Sequence, residues 1–387
     1  MRNEAESTTD RLILITTPGT KRAFAIADAD RRVGFQLVQV LSYVDALSAS
    51  LKDVPKGCLV RFDSPSGCPE TARKFLAAGI DAMEAEGAVP IRESEIAELA
   101  FERGEILHPR QWFFGFRAVI RQIADRWNER NILWTSDPES IVTAFDKLEC
   151  LDRWSAEGLP VPQRYPTIRT YHQLRDSIPK RHARLFLKLR YGYSAMGAVA
   201  LEWRDSRVRA ITTVDVTWSQ GRPRLFVTKQ PQVIQNEFAV SWLIDTLAME
   251  EILVEEWIPK VRWQGVPYDL RVVMIQGRMQ HVIGRANSSP FTNLNLDGRR
   301  VPRDVIERQL GDTFELVESC CERACSLLPG AEALGMDVLV RPCRQRIALL
   351  EANAFGDYLP GLLHAGRSTY EAELLSCRDD VMKEAGV

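Results

Sequence analysis

The first third of the chain alternates short apolar runs with helix-like segments, and this alternation constrains the fold more than any other feature. The segments follow in the order 12–15 (apolar), 21–34 (helical), 35–40 (apolar), 58–62 (apolar) and 69–86 (helical). Apolar strands that alternate with helices pair in parallel, because each crossover helix returns the chain to the same edge of the sheet. We therefore expect a parallel α/β unit over about residues 11–110.

The remaining residues are richer in strand patterns. A Gly-Leu-Pro-Val-Pro stretch at 158–162 stops a helix that Asp146 can cap, and it marks a junction. Beyond it the sequence predicts strands at 185–190, 198–203, 208–214, 224–228, 270–275 and 281–285, one long helix at 306–328, and a final hairpin of 336–340 with 347–351. Strands with little helix between them favour antiparallel sheets. We expect an α/β and α+β chain in three units, 1–134, 135–254 and 255–387.

Composition excludes several classes of function. With 387 residues, 45% of them apolar, the chain exceeds what one hydrophobic core usually organises. Its 50 Lys and Arg residues nearly balance 52 Asp and Glu residues, so no overall electrostatic surface for nucleic acid is present. No apolar stretch reaches the roughly 18 residues of a membrane span. We expect a cytoplasmic protein that binds neither nucleic acid nor membrane, with a homodimer as the commonest arrangement.

The eight cysteines include no Cys-x-x-Cys pair, and we interpret them as reduced thiols. Cys320, Cys321 and Cys325 form the one cluster. They fall on the apolar stripe of the predicted 306–328 helix, where cysteines are usually small core residues. A metal site is the weaker alternative, because the spacing of tetrahedral sites is absent.

A small-residue loop follows a strand that carries a lysine. Residues 187–197 read LKLRYGYSAMG, with Lys188 in the strand and Gly192, Ser194 and Gly197 in the loop. Glycines let backbone N–H groups approach phosphate oxygens, and an ammonium group neutralises their charge. The pattern therefore favours a triphosphate site, with a surface hairpin and a solvated lysine as the alternative.

An apolar strand at 253–258 ends in two acids before a proline, as Glu255-Glu256-Trp257-Ile258-Pro259. Adenine needs apolar walls and a strand edge with backbone donors and acceptors, and a carboxylate beyond it can accept from ribose hydroxyls. Solvated acids at a strand end are the competing interpretation.

Two arginines and an aspartate alternate on predicted strands. Asp269 and Arg271 are two residues apart and share a strand face, which Arg285 on a neighbouring strand can join before the Asn-rich loop 287–298. Converging guanidinium groups suit a γ-phosphate or a carboxylate, and structural ion pairs are the alternative. Further basic residues, interpreted as solvated surface, are Lys260, Arg262, Arg299, Arg300 and Arg303.

The final hairpin carries three oxygen ligands. If its strands pair, Asp337 lies opposite Glu351, and Asn353 shares the face of Glu351. Hard oxygen ligands at one point are what Mg²⁺ requires. A buried Asp and Glu without a metal would be costly, so the metal interpretation is favoured.

Together these four features, in this order, resemble the ATP-grasp superfamily over about residues 135–360. The resemblance implies that Lys147 and Lys188 reach the phosphates of ATP and that the glycine-rich loop is mobile. It implies a metal site for Mg²⁺, two ions in all, at Asp337, Glu351 and Asn353. The nucleotide-binding residues that it implies are Lys147, Lys188, Gly192, Ser194, Gly197, Glu255, Glu256, Trp257 and Asp269.

The order Asp269-Leu-Arg271, Arg285 and an Asn-rich loop is similar to the branch that contains the ribosomal-protein glutamate ligase. That similarity implies that Arg271 and Arg285, with Lys188, face the γ-phosphate and an acyl phosphate. The loop TNLNLDGRR lacks the paired glycine of that branch, and the glycine-rich loop is bulkier than many because it carries Tyr191 and Tyr193. These departures leave the acceptor open.

The resemblance implies an ATP-dependent ligase that activates a carboxylate as an acyl phosphate and couples it to an amine or similar nucleophile, releasing ADP and phosphate. The expected partners are small-molecule or peptide carboxylates and amines. The alternatives are a kinase on the same scaffold and a non-catalytic nucleotide-binding protein.

Overall fold

The chain builds one parallel and two antiparallel sheets. They are seen in a computed structural model, which describes residues 11–178, 181–219 and 221–384. Within those ranges no helix combines the length and the apolar character that crossing a bilayer needs.

The first unit is a four-stranded parallel sheet in the order β2-β1-β3-β4, as the alternating pattern predicted. Its two central strands are buried between helices, and the two outer strands are partly exposed. The elements are β1 (Arg11–Ile15), α1 (Lys21–Val33), β2 (Gln36–Leu41), α2 (Tyr43–Ser48), β3 (Leu59–Phe62), α3 (Pro69–Ala78), α4 (Ile80–Ala85), α5 (Glu93–Glu98), α6 (Pro109–Trp127) and β4 (Leu133–Trp134).

The single helix predicted at 69–86 is wrong, because the chain divides there into α3 and α4 at Gly79. The cause is close packing against α6. A Cβ on Gly79 would lie 2.1 Å from the Gln111 carbonyl oxygen, and one on Gly115 would lie 1.6 Å from the Phe75 carbonyl oxygen. Only glycine lets the two backbones meet at this distance.

The second unit is a five-stranded antiparallel sheet in the order β8-β7-β6-β5-β9. The antiparallel prediction is confirmed, and the strands are longer than the sequence pattern indicated. The elements are α7 (Pro138–Phe145), α8 (Lys147–Ala156), α9 (Tyr171–Ser177), β5 (His182–Leu189), β6 (Val199–Arg204), β7 (Arg207–Ser219), β8 (Arg222–Ile234), α10 (Glu237–Ala248) and β9 (Ile252–Glu256).

A second antiparallel sheet, in the order β13-β12-β11-β14-β15, has β10 paired to β11. The elements are β10 (Arg262–Trp263), β11 (Val266–Ile275), β12 (Arg278–Ala286), β13 (Arg299–Val301), α11 (Arg303–Leu310), α12 (Asp312–Ser326), β14 (Ala333–Val340) and β15 (Ile347–Asn353). The single helix predicted at 306–328 is wrong, since it breaks at Gly311, whose φ is 51°. Cys320, Cys321 and Cys325 are buried in the core on α12, as expected of core residues.

A last helix, α13 (Thr369–Glu384), was not predicted. It returns to the first unit, where Tyr370, Leu374 and Cys377 pack against Leu12 and Leu14 of β1. The C-terminal segment thus completes the core beside the N-terminal sheet.

Candidate active site

All the predicted site residues except Gly197 line three adjoining cavities. The largest, about 380 Å³, is lined in part by Lys147, Gly192, Ser194, Arg271, Arg285, Glu351 and Asn353. A second, about 90 Å³, shares Lys147, Arg285 and Glu351 and adds Lys188, Asp269 and Asp337. A third, about 60 Å³, is lined by Lys188, Glu255, Glu256 and Trp257. Residues more than 200 positions apart in sequence therefore meet in one region.

Both lysines point inward from element ends. Lys147 opens α8 behind the N-cap Asp146, donates a hydrogen bond to the Gly192 carbonyl and lies 3.7 Å from the Glu351 carboxylate. Lys188, in β5, lies 2.9 Å from the Glu255 carboxylate and donates to the Leu350 carbonyl at 2.9 Å. Two ammonium groups thus flank Glu351 and its strand from neighbouring elements.

The glycine-rich loop has an unusual backbone. Ser194 and Ala195 both have left-handed φ values, 51° and 61°, and Gly197 follows at 65°. A Cβ on Gly197 would also lie 2.6 Å from Cδ1 of Leu189. Both the left-handed backbone and the lack of space for a side chain therefore favour glycine there. Consecutive left-handed residues store strain, and such strain is typical of segments that change conformation.

The third cavity has the apolar walls that an adenine ring needs. Phe186, Ile258, Leu339 and Leu350 line it together with the acids of β9. Glu255 is 2% exposed, and burial raises the pKa of its carboxyl against the opposing effect of Lys188. The backbone N–H groups of Glu256 and Trp257 already donate to protein carbonyls. Recognition of a base here therefore depends on the walls and on the remaining polar groups.

The two predicted arginines form a charge network with two aspartates. Arg271 donates to Asp337 at 2.6 Å, and Arg285 donates to Asp269 at 2.9 Å and to Asp337 at 2.8 Å. Arg271 also donates to Asp357 at 2.7 Å. Burial opposes ionisation of Asp269, but Arg285 and Lys260 outweigh it and hold its pKa below the usual range. Each guanidinium retains a terminal nitrogen that makes no hydrogen bond with a described residue.

The interpretation of Lys260 as solvated surface is wrong. Its side chain is largely buried, with the ammonium group 3.1 Å from the Asp269 carboxylate, and it donates to Thr292 at 2.7 Å and to the Pro290 carbonyl at 3.1 Å. Burial lowers the pKa of Lys260. Lys260 thereby joins the Asn-rich loop to β11, and no local sequence pattern distinguishes it from a surface lysine.

The hairpin register matches the prediction for the metal residues. Asp337 pairs with Glu351, and Asn353 pairs with Gly335, whose carbonyl accepts the Asn353 amide at 2.8 Å. The amide oxygen of Asn353 accepts no hydrogen bond from a described residue. Burial disfavours ionised Glu351, yet Lys147 and Lys188 outweigh it and lower its pKa. Among the described residues no three His, Cys, Asp or Glu side chains cluster as metal ligands. The set instead combines two carboxylates with an amide, and such oxygens suit Mg²⁺.

Sequence reasoning missed the contribution of the first unit. Arg22, Ser64 and Ser66 line the 380 Å³ cavity, and Trp112 of α6 lines it beside Phe145 of α7 and Tyr193 of the glycine-rich loop. Ser64 and Ser66 follow the carboxyl end of β3, where ligands of parallel sheets usually bind. This rule for parallel sheets could have predicted from the sequence that Ser64 and Ser66 line a site.

Solved structures of ATP-grasp ligases match nearly the whole chain. The ATP-grasp ligase PsnB complexed with a phosphomimetic variant of its minimal precursor, Mg and ADP is 12% identical, with 96% of this chain and 99% of that chain covered and a TM-score of 0.51. The D-cycloserine synthetase DcsG is 13% identical, with 95% and 99% covered and a TM-score of 0.52.

No family model matches the chain, and no curated protein sequence matches it. At such identities the structural likeness establishes the fold. The chain has the fold of ATP-grasp ligases.

Proposed function

We propose that this chain is an ATP-dependent ligase that converts a carboxylate to an acyl phosphate and passes it to an amine or similar nucleophile. The observation that carries the proposal is the meeting of Lys147, Arg271, Arg285 and Glu351 around one cavity. Fixed cations beside carboxylate and amide oxygens are suited to a triphosphate. The fold of ATP-grasp ligases supports the same reaction class.

In this proposal the cations position the reacting groups. Lys147 and Lys188 neutralise phosphate oxygens, and the spare guanidinium nitrogens of Arg271 and Arg285 hold the transferring phosphoryl group. A substrate carboxylate oxygen attacks the γ-phosphorus, the bond from phosphorus to the bridging oxygen breaks, and ADP leaves with the electron pair. An amine then attacks the acyl carbon, and phosphate leaves while the amine loses a proton. Positioning and charge stabilisation supply most of the rate.

The residues that would hold Mg²⁺ are Asp337, Glu351 and Asn353. Bound there, the ion would supply neutralising charge for the phosphates. The lowered pKa of Glu351 keeps its carboxylate ionised and able to coordinate such an ion. Asp337 is shared with two arginines, so it serves the ion and the arginine network together.

The glycine-rich loop supplies closure over the intermediate. An acyl phosphate hydrolyses in water, so the site must exclude solvent during turnover. Tyr193 and Ser194 of this loop line both larger cavities, which supports a role for the loop in covering the reacting groups. We extend the proposal to the ribosomal-protein glutamate ligase branch because of Arg271, Arg285 and the Asn-rich loop.

Hydroxylamine trapping tests the proposal without knowledge of the natural nucleophile. Hydroxylamine attacks an acyl phosphate at carbon and gives a stable hydroxamate, so the chain should form hydroxamates from a pool of carboxylic acids only when MgATP is present. ADP and phosphate should appear in equal amounts. Formation of a phosphorylated product in place of hydroxamate and phosphate would contradict the ligase and favour a kinase.

A further inference from the structure

The parallel sheet of the first unit contributes a crevice to the cavity that the phosphate-binding residues also line. In the order β2-β1-β3-β4, the chain leaves β1 toward β2 on one side and reaches β3 on the other. Such a reversal opens a crevice at the carboxyl ends of the two strands, where ligands bind. Here that end of the sheet carries Ser64 and Ser66 after β3 and Arg22 at the start of α1. All three line the 380 Å³ cavity together with the arginines of β11 and β12.

The polar end of this crevice is neutral overall. Arg22 donates to both oxygens of Asp63, at 2.6–3.1 Å, and to the Phe355 carbonyl at 2.9 Å. Arg61, which pairs with Glu373 at 2.9 Å, lies 3.5 Å from Asp63, so two positive and two negative charges cancel. Nη1 of Arg22 makes no hydrogen bond with any described residue. A neutral donor or acceptor on a ligand suits this end better than a second anion does.

The hydroxyl groups beside Arg22 are available for a ligand. Ser64 and Ser66 hydroxyl oxygens lie 2.9 Å apart, so one hydrogen bond joins them and one O–H group remains. Both lie at the surface of the cavity. They provide a donor and acceptor pair on the part of the cavity that the first unit contributes.

A wall of three aromatic rings borders the same cavity. The ring centroids of Trp112 and Phe145 are 5.7 Å apart, and Tyr193 lies 6.1 Å from Trp112 and 6.4 Å from Phe145. Trp112 is 9% exposed and Tyr193 is 39% exposed. Rings at these distances stack or meet edge to face with a further aromatic ring. Tyr193 belongs to the glycine-rich loop, so closure of the loop brings this wall onto whatever fills the cavity.

We infer that the carboxylate substrate is a small aromatic acid whose ring packs on Trp112, Phe145 and Tyr193 and whose polar substituent meets Ser64, Ser66 and Arg22. This assignment rests on the proposed ligase function and names the substrate class of its site. The reacting carboxylate lies toward Arg271 and Arg285. The cavity volume is in the range that binds small molecules.

A matched pair of probes tests the ring. With the Mg²⁺ complex of the ATP analogue AMPPNP bound, 3-phenylpropanoate should bind about three- to tenfold more tightly than 3-cyclohexylpropanoate by titration calorimetry, the difference expected of aromatic pairing. A 4-hydroxyl group on the phenyl ring should strengthen binding further. The double variant Ser64→Ala with Ser66→Ala should remove the hydroxyl effect and keep the ring effect.

Variants of the wall separate ring packing from general binding. Tyr193→Leu and Phe145→Leu should each reduce the phenyl preference at least twofold, whereas Trp218→Leu, which changes an exposed ring outside the cavity, should leave it unchanged. Equal binding of the two probes, or binding of neither to a chain that binds AMPPNP, would overturn the aromatic assignment alone. Failure to bind AMPPNP would overturn the proposed function and the assignment together.

Discussion

Two buried charge networks in this molecule differ in what their charges face. The arginine network of the site joins Arg271 and Arg285 to aspartates, while the network beneath α13 joins Arg61 to Glu373 through two hydrogen bonds of 2.9 Å. Burial and pairing distances are alike in the two places. The site network lines cavities and keeps unused N–H donors, whereas Arg61 lines none of the cavities described above.

Burial of paired charges therefore does not by itself mark a functional site. A buried pair often contributes little net stability, because desolvation offsets the attraction, although breaking it is costly. Donors that remain free toward a cavity are the distinguishing feature. Variants of each network test this conclusion.

The largest effect should come from the network of Arg61 and Glu373 beneath α13, which we call the closed network because Arg61 lines none of these cavities. Arg61→Met leaves Glu373 buried without its partner, and we expect the free energy of unfolding to fall by about 3–5 kcal/mol. Urea denaturation measures it. The double variant Arg61→Met with Glu373→Met should recover much of the loss, because an apolar pair replaces an ionic one. No recovery would mean that the pair itself stabilises the fold.

In the arginine network of the site, which we call the open network because it lines the cavities, a variant should change the rate of turnover. Glu351→Gln removes a metal-binding charge, so we expect ATP-dependent hydroxamate formation to fall by about 10²–10³-fold, with unfolding free energy changed by less than about 1 kcal/mol. Glu129→Gln, at an exposed position, is the matched control and should retain activity. Equal loss of stability in the two networks would erase the distinction drawn here.

A fall in pH should next reveal the contribution of Asp63, which lies between Arg61 of the closed network and Arg22 at the cavity. Burial raises the pKa of Asp63, but Arg22 and Arg61 outweigh it and hold the pKa below the usual value. The stabilisation is therefore present above about pH 4 and is lost as the pH falls through the folded pKa. Urea unfolding between pH 6 and pH 3 should show this decline, and Asp63→Asn should flatten it. An unchanged slope in the variant would assign the decline to other carboxyl groups.

The smallest effect concerns the loop over the open network. Gly197→Ala places a Cβ in left-handed backbone and against Leu189, and should cost about 1–2 kcal/mol. Gly221→Ala, with φ of 76° but no atom within 4 Å of its Cβ, isolates the backbone contribution and should cost about 1 kcal/mol. Only Gly197→Ala should also slow hydroxamate formation. Slowing by both variants would show that backbone strain at a distance affects turnover.

Much of the fold could be predicted because apolar periodicity is local information. The parallel strands, the antiparallel sheets and the pairing of Asp337 with Glu351 follow from alternation and turn positions. The divisions at Gly79 and Gly311 shared one local signal, because glycine within a helical pattern is a known breaker. The close approach of α6 to Gly79 could not be predicted, because it depends on tertiary packing.

The site was only partly predictable for the same reason. Arg285 and Glu351 have residue types that demand partners, so their chemistry predicted them as site residues, whereas Lys147 was predicted only from the family resemblance. Lys260 and Arg22 have the same chemistry but are set by tertiary packing, and nothing local separates them from surface residues. The apolar residues of α13 have helical spacing, as Tyr370, Leu374 and Cys377 show, so the sequence pattern could have predicted that helix.

The return of α13 to the first unit has a consequence for synthesis of the chain. Residues 11–134 precede α13 in the chain, yet Arg61 gains Glu373, and the apolar cluster of Leu12 gains Leu374, only after α13 has been synthesised. Until then the Asp63 carboxylate is shared by Arg61 and Arg22, and the apolar cluster lacks the side chains of α13. The N-terminal sheet therefore reaches its final packing only after a segment far along the chain has been made.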